Sequence, residues 1–258
     1  MIFLLDVGNT RVKWGVLPLG KDASVCEAQA LSHDGRALGV ETLTTAWRTV
    51  ERPHRVAGVC VAGEAVRSVV EQAVWRRWKI SMDWVTAVAE WCGVVNAYAQ
   101  PDALGADRWV ALLAARSLAA GKEICVVDAG TAVTVDLVDG SGRHRGGAIF
   151  PGRRMMARAL SLGTERLIDI EDEEGASELP ARDTETALRT GIRFGLAGAV
   201  NGLVEKMTGG CLAEHRAFLT GGDAEWLNGQ LEGMWELRPH LVLEGVAAAV
   251  RWAGEPGR

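Results

Sequence analysis

Tyrosine occurs once in this chain, at Tyr98, and phenylalanine four times, whereas tryptophan occurs ten times. Basic residues are in deficit: 28 Lys and Arg stand against 33 Asp and Glu, a formal charge of −5. That balance gives no support to broad electrostatic binding of nucleic acid or of an anionic membrane. The five cysteines, Cys26, Cys60, Cys92, Cys125 and Cys211, are an odd number with no C-x-x-C pair. They argue against zinc and for a reducing, cytoplasmic compartment. Cys60 and Cys125 sit inside apolar runs and are expected as buried free thiols. No apolar run reaches the roughly 18 residues that a membrane helix needs. The opening Met1-Ile2-Phe3-Leu4-Leu5 has no basic flank and meets an Asp after five residues, so it reads as a buried strand rather than a signal peptide. The signatures of a P-loop (G-x-x-x-x-G-K-[ST]), a dinucleotide fold (G-x-G-x-x-G), a zincin (H-E-x-x-H) and a serine hydrolase (G-x-S-x-G) are all missing. Low-complexity linkers are missing too. Apolar residues at 48% and charged residues at 24% are ordinary for a globular protein, and 258 residues suit one large domain or two intimate lobes.

Short apolar strands that end in acidic, glycine-containing turns occupy the chain. Ile2 to Asp6 runs into Asp6-Val-Gly-Asn-Thr10, after which Val12, Trp14 and Val16 alternate with Arg11, Lys13 and Gly15. The period of two predicts a hairpin. A third strand is expected near Val25 to Leu31, a buried strand at Arg55 to Val61, and a helix from Glu64 to Lys79. Leu104 to Ala120, dense in Ala and Leu, predicts a helix closed by Gly121. The opening pattern then returns. Ile124 to Asp128 leads into Asp128-Ala-Gly-Thr131, with strands expected at Ala132 to Val138 and His144 to Phe150. Two copies of strand, Asp-x-Gly turn, strand, strand point to an internal duplication. Asp169 to Glu178 is acidic and reads as a solvated loop or frayed helix. Thr184 to Met207 predicts a long helix carrying Gly191, Gly195, Gly198 and Gly202. Each helical glycine costs about 1 kcal/mol relative to Ala, so four suggest close approach to another helix. Phe218 to Asp223 is a strand entering a glycine turn, and Leu241 to Ala253 closes the chain as strand or helix. The alternation of strands and helices predicts α/β lobes built on mixed sheets.

Three turns share one chemical logic: Asp6 to Thr10, Asp128 to Thr131, and Thr220-Gly-Gly-Asp223. Glycine lets backbone N–H groups approach a phosphate, and the carboxylates fit if a hard cation stands between. Lys13 is placed to reach a phosphate from the second strand. One such turn is as well explained by hairpin conformation alone, but three in order point to a two-lobed nucleotide site. The stretch from Asn96 through Tyr98 and Pro101 to Gly105, Asp107, Arg108 and Trp109 sets a carboxylate beside a guanidinium in the first turn of a helix. Those two residues read either as a helix-start acid with a surface Arg, or as a base with an anion clamp.

Asp6 to Thr10, Tyr98 to Trp109, Asp128-Ala-Gly-Thr-Ala-Val-Thr-Val-Asp136 and Gly146-Gly-Ala-Ile-Phe-Pro-Gly152 resemble the type III pantothenate kinases. That family includes proteins described as Bvg accessory factors. The likeness continues through Thr184, Ala187, Gly191, Gly195 and Thr220 to Asp223 as far as Leu241-Val-Leu-Glu-Gly245, essentially the whole chain. It implies two duplicated lobes of the actin-like ATPase superfamily, which embraces acetate and sugar kinases, heat-shock ATPases and actin. The expected division is residues 1–115, with phosphate and pantothenate motifs, and 116–258, with the cation and adenosine motifs and dimer helices. It implies ATP with Mg2+, and a monovalent cation, K+ or NH4+. Asp6, Val7, Gly8, Asn9, Thr10, Arg11, Val12 and Lys13 would hold ATP phosphates, with Asp6 facing magnesium, and Thr131 would touch ATP. Asp107 would be the general base. Tyr98, Gly105, Ala106, Asp107 and Arg108 would bind pantothenate, joined by Thr184 near a homodimer interface, and Asp128 would ligate the monovalent cation. The implied activity is phosphorylation of pantothenate to 4′-phosphopantothenate, the first step towards coenzyme A. The alternative is a non-catalytic nucleotide-binding accessory factor of the same fold. Between Pro151 and Pro180 the match is loose, so no substrate contacts carry over there, and Arg153 and Arg154 read either as anion ligands or, more simply, as solvated helix charges. Trp75, Trp78 and Trp84 are expected in packed interiors, and Trp14 and Trp109 need no chemical role.

Overall fold

A computed structural model of the chain describes residues 1–20, 23–33, 38–161 and 179–254. The acidic stretch Asp169 to Glu178 lies outside the described residues. Contacts divide the chain into two compact units: residues 1–121 with 140–144 and 240–258, and residues 122–139 with 145–239.

The first unit opens with β1 (Ile2–Val7), β2 (Arg11–Leu17) and β3 (Cys26–Ser32), followed by α1 (Val40–Ala46) and β4 (Arg55–Cys60). α2 (Glu64–Trp78), β5 (Met82–Trp84), the two-residue strands β6 (Glu90–Trp91) and β7 (Val94–Val95), and α3 (Ala106–Leu118) complete its main segment. Among the described residues the sheet order is β3-β2-β1-β4-β5. β1 runs antiparallel to β2 and parallel to β4. The apolar run Ile2 to Leu5 of β1 is what such a central position requires, because both of its faces are covered, and Asp6 comes only at the strand's end. Phe3, Trp47 and Trp78 meet beneath the sheet, with Phe3 edge-on to both indoles at centroid distances of 5.4 and 4.9 Å. Trp78 thus fulfils its expected core role, and Trp84 packs partly buried at the margin of the same core. Trp75 does not: it is 54% exposed, because it lies on the solvent side of α2 with the Lys79 ammonium over its ring.

α3 begins two residues later than the apolar pattern suggested, since Leu104 belongs to the preceding short turn. Its end turns through two left-handed residues, Ala120 and Gly121. The second unit follows with β8 (Glu123–Ala129), β9 (Ala132–Val138), β10 (His144–Pro151), α4 (Arg153–Ser161) and α5 (Thr184–Thr208). β11 (His215–Thr220), α6 (Ala224–Asn228) and β12 (Glu236–Leu237) close it, and its sheet order is β10-β9-β8-β11-β12. β8 is antiparallel to β9 and parallel to β11, which repeats the first sheet strand for strand. α7 (Leu241–Ala253), the last helix, returns to the first unit and packs on α3.

The duplication extends to single hydrogen bonds. In the first turn Gly8 N donates to Arg11 O at 2.9 Å, and in the second Gly130 N donates to Ala132 O at 3.0 Å. The second turn is one residue shorter because it has no counterpart of Asn9. The register shifts accordingly: Asp6 stands opposite Lys13, and Asp128 opposite Thr134.

Among the described residues the glycines of α5 do not approach another helix. A Cβ built on Gly191, Gly195, Gly198 or Gly202 meets nothing within 4 Å. Cys60 is only half-buried, whereas Cys125 is fully buried as expected. Burial, with the Asp136 carboxylate nearby, pushes the Cys125 thiol up to about 12.

Candidate active site

In the first unit the β1–β2 turn holds a buried acid beneath an open loop. Asp6 is 7% exposed, while Asn9 and Thr10 are exposed, so the turn offers backbone N–H groups to solvent above a carboxylate. His33 braces the loop from β3, its ring contacting Gly8 O at 3.0 Å and its amide donating to Thr10 O at 2.8 Å. Burial raises the Asp6 pKa above the ordinary carboxylate range. The Lys13 ammonium, 3.5 Å away, pulls it back, and the Asp107 carboxylate pushes it further up. The last contribution means that Asp107 lies close enough to Asp6 for their charges to repel. Lys13, expected to point at a phosphate, pairs with Asp6 across the hairpin.

Asp107 and Arg108 occupy the first turn of α3, where an acid is favoured by the helix dipole. Asp107 Oδ1 accepts from the Arg108 amide at 2.7 Å, which fixes the carboxylate at the helix entrance. Glycine at 105 leaves the carboxylate its place, since a Cβ there would lie 2.8 Å from Asp107 Oδ1 and the side chain would have to shift. Arg108 is 7% exposed, and its Nη1 donates to the Tyr98 hydroxyl at 3.0 Å. Its guanidinium carbon also stands 5.8 Å from the Tyr98 ring centroid. The lone tyrosine is held in turn by Asn96, whose Oδ1 accepts from the Tyr98 amide at 2.9 Å. Asp6 with Lys13, and Asp107 with Arg108 and Tyr98, are thus two bonded groups at the end of β1 and the start of α3, near enough for the Asp107 charge to act on Asp6.

A partner of the second group was not anticipated from sequence. His144, 3% exposed, stacks on Tyr98 with centroids 6.0 Å apart and planes 15° from parallel. It ends the segment 140–144, which is strapped to the first unit. Arg116 Nη1 donates to Gly140 O at 3.1 Å, and Val95 N donates to Gly142 O at 2.9 Å. Nothing local signals this pairing, because 46 residues separate histidine and tyrosine.

In the second unit three glycine-bearing segments converge. A Cβ on Gly221 would stand 2.3 Å from Ala129 O and 2.5 Å from Asp128 Oδ1, and Gly221 has φ +100. A Cβ on Gly152 would stand 2.2 Å from Gly130 O. Only glycine permits these approaches. Asp223 N donates to Ala129 O at 2.9 Å, which ties the Thr-Gly-Gly-Asp turn to the Asp-Ala-Gly-Thr turn. Asp128 Oδ1 thus lies against the backbone of Gly130 and Gly221, while Thr131 is exposed at the turn's tip. Arg153 is not the solvated helix charge expected: its Nε donates to the buried Asp223 at 2.9 Å and its guanidinium lies over Trp226. Thr184 is the exposed first residue of α5, directly after the Asp183 N-cap, whose carboxylate accepts from Thr186 N at 2.9 Å.

Among the described residues no three His, Cys, Asp or Glu side chains cluster as a metal cage. The donor chemistry fits shared cations instead. Mg2+ is usually held by one or two carboxylates plus substrate phosphates, and a buried Asp6 below an open amide turn suits that arrangement. Asp128, a carboxylate set against the glycine backbone of two turns, suits a larger, weakly held monovalent cation.

The family profile described as type III pantothenate kinase matches residues 2–206. The type III pantothenate kinase of Halorhodospira halophila (strain DSM 244 / SL1) is 37% identical over 264 residues, covering 100% of both chains. That of Alkalilimnicola ehrlichii (strain ATCC BAA-1101 / DSM 17681 / MLHE-1) is 40% identical over 251 residues, covering 97% of this chain and 98% of its own. Among solved structures, a protein described as a Baf family transcriptional activator from Campylobacter jejuni superposes with a TM-score of 0.60 at 18% identity, covering 96% of this chain and 97% of its own. The activator of 2-hydroxyisocaproyl-CoA dehydratase from Clostridium difficile, with bound ADPNP, gives a TM-score of 0.56 at 13% identity, covering 96% and 92%. At those identities the likeness is one of fold, the actin-like ATPase fold of two mixed-sheet halves.

Proposed function

The chain belongs to the type III pantothenate kinase family, and from that premise we propose how its residues divide the transfer of a phosphoryl group from ATP to pantothenate. The observation that carries the proposal is the set formed by Asp6, Asp107, Arg108 and Tyr98 within the first unit.

Phosphoryl transfer asks little covalent chemistry of a protein; it asks for positioning and charge stabilisation. The turn from Asp6 to Lys13 receives the ATP phosphates on its exposed amides and on the Thr10 hydroxyl. Magnesium, when bound, neutralises phosphate charge, and Asp6 is the carboxylate that would hold it. Lys13 then has a choice of partners, Asp6 or a phosphate oxygen. Arg108 binds the pantothenate carboxylate, a pairing for which a planar guanidinium is suited. Tyr98 supplies a hydroxyl and an aromatic wall beside it, and Gly105 and Ala106 let the substrate approach the helix entrance. Asp107 accepts the proton of the pantothenate primary hydroxyl as its oxygen bonds to the γ-phosphorus and the bond from that phosphorus to ADP breaks.

In the second unit Thr131 touches ATP and Asp128 holds a monovalent cation, potassium or ammonium, which adds positive charge near the nucleotide. Thr184 contributes to pantothenate binding at the start of α5. The exposed glycine face of α5 is the surface through which two copies pair as a homodimer.

The test is ATP-dependent phosphorylation of pantothenate, followed with and without potassium, for the wild type and Asp107→Asn. The wild type should form 4′-phosphopantothenate. Asp107→Asn should lose on the order of 10²–10⁴-fold in kcat, the usual range for a positioned base, while still binding ATP. Full activity in that variant overturns the assignment of the base, and no product from the wild type overturns the reading.

A further inference from the structure

We propose that His144 is a positioning residue for pantothenate: its buried imidazole fixes the ring of Tyr98 and, through that ring, the guanidinium of Arg108. The inference rests on reading Tyr98 and Arg108 as the pantothenate side of the site.

Tyr98 stands in an irregular segment between the strand pair β6–β7 and α3, with its side chain partly exposed. A tyrosine in such a place samples several ring orientations unless something plates it. Here the plate is His144, lying 15° from parallel at 6.0 Å and almost fully buried. Tyr98 in turn holds Arg108 twice, through the hydrogen bond to its hydroxyl at 3.0 Å and through its ring face at 5.8 Å. The chain of contact is thus imidazole, phenol, guanidinium, each fixing the next.

The imidazole is itself aimed by backbone. Gly142 has φ +93, and a Cβ there would stand 2.1 Å from Gly93 O. The strap from 140 to 144 can press this closely on the β6–β7 turn only with glycine at 142. Two anchors keep it there, Val95 N to Gly142 O and Arg116 Nη1 to Gly140 O. A strap whose only task was to connect two strands would not need such a close approach, nor a ring buried against the one tyrosine of the chain.

A site residue that must receive a small, flexible acid gains affinity from being held in its binding orientation beforehand. The expected signature is confined to one substrate. His144→Ala should raise the pantothenate KM roughly three- to tenfold, the fold-change that one aromatic pair represents, and leave the ATP KM unchanged. His144→Phe keeps a planar ring and should restore most of the loss. In a Tyr98→Ala background, His144→Ala should add almost nothing, because the plate then has nothing to orient.

Steady-state kinetics of the full chain against both substrates decide the matter, with thermal melting run in parallel. If His144→Ala fails to fold, His144→Leu carries the test, since it fills the space without a planar ring. Equal changes in both KM values overturn the proposal, as does an undiminished effect of His144→Ala in the Tyr98→Ala background. If Tyr98→Ala raises the pantothenate KM and His144→Ala does not, the positioning role alone fails. If Tyr98→Ala itself leaves that KM unaltered, the reading of the pantothenate side falls and the role of His144 falls with it.

Discussion

Asp6 carries a conflict between stability and function. Burial and the Asp107 charge raise its pKa, and Lys13 only partly offsets them. The folded chain therefore holds the Asp6 proton more tightly than the unfolded chain does. Stability from this group is present at pH below the unfolded pKa and is lost as pH rises through the higher folded value. Above the unfolded pKa this carboxyl is therefore a standing cost in the ligand-free protein, one that a bound cation would relieve. Asp6→Asn removes the charge at nearly constant shape, and Lys13, with 24% of its side chain exposed, can turn to solvent. The ligand-free variant should melt higher than the wild type at neutral pH, by roughly 2–4 °C for each kcal/mol relieved. The gain should shrink as the solution is made acidic and Asp6 takes up its proton. Turnover should fall on the order of 10²-fold or more, as for loss of a charge-stabilising group. Melting curves at several pH values test the first claim; a variant that melts lower at neutral pH defeats it. A similar separation of environments governs the thiols. Cys26 and Cys211 are exposed and Cys125 is buried with its pKa pushed up to about 12. A thiol reagent should therefore label the first two long before Cys125, as peptide mapping of a time course would show.

At the level of elements, the glycine ending the last motif is explained by helix packing rather than by the site. A Cβ on Gly245 would lie 1.9 Å from Val110 O and 2.4 Å from its carbonyl carbon, so α7 rides directly on the backbone of α3. Gly245→Ala must separate the two helices. Overpacking of this kind costs typically 1–3 kcal/mol, occasionally more, and backbone cannot yield as a side chain would. Because α3 begins with Asp107 and Arg108, the same substitution should disturb pantothenate binding from a position that touches no substrate. Urea unfolding and the pantothenate KM together check this; an unaltered midpoint would show that the helices have slack. Gly245 stood out in the sequence without its reason, because the reason lies 135 residues away. The same limit recurs. The hairpins, α3 and their acidic turns were legible from periodicity and from glycine beside aspartate, since those signals are local. α7 could not be told from a strand, because apolar residues fill most of its positions and only the charges of Glu244 and Arg251 mark its less buried side. His144 against Tyr98 and Arg153 against Asp223 were illegible for a different reason: both pairs form only when distant segments meet.

For the whole molecule, the duplication accounts for two sheets of one topology, yet the two copies carry different second strands. Lys13 faces the first aspartate and Thr134 the second, so the copy with a mobile cation is the one assigned to phosphates. The second copy has Thr134 where the first has that lysine, and its Asp128 lies against the glycines of two turns, a setting we assign to a monovalent cation. Asp128→Ala should accordingly abolish the response of turnover to potassium; a salt response equal to the wild type's removes Asp128 from that role. α5 raises the remaining question of scale. Its outer face carries Gly191, Phe194, Gly195 and Gly198, with Phe194 48% exposed and open space beyond each glycine. Helical glycine costs about 1 kcal/mol relative to Ala, and nothing among the described residues uses the close approach it permits. A second copy of the same helix would use it, with Phe194 covered by its symmetry mate. The chain should then sediment at twice 27.6 kDa. Gly195→Glu, which sets a charge and a long side chain in the middle of that face without touching the core of its own unit, should shift it to the single mass. Sedimentation equilibrium at several concentrations measures both states. A monomeric wild type, or a dimer indifferent to Gly195→Glu, would remove α5 as the interface.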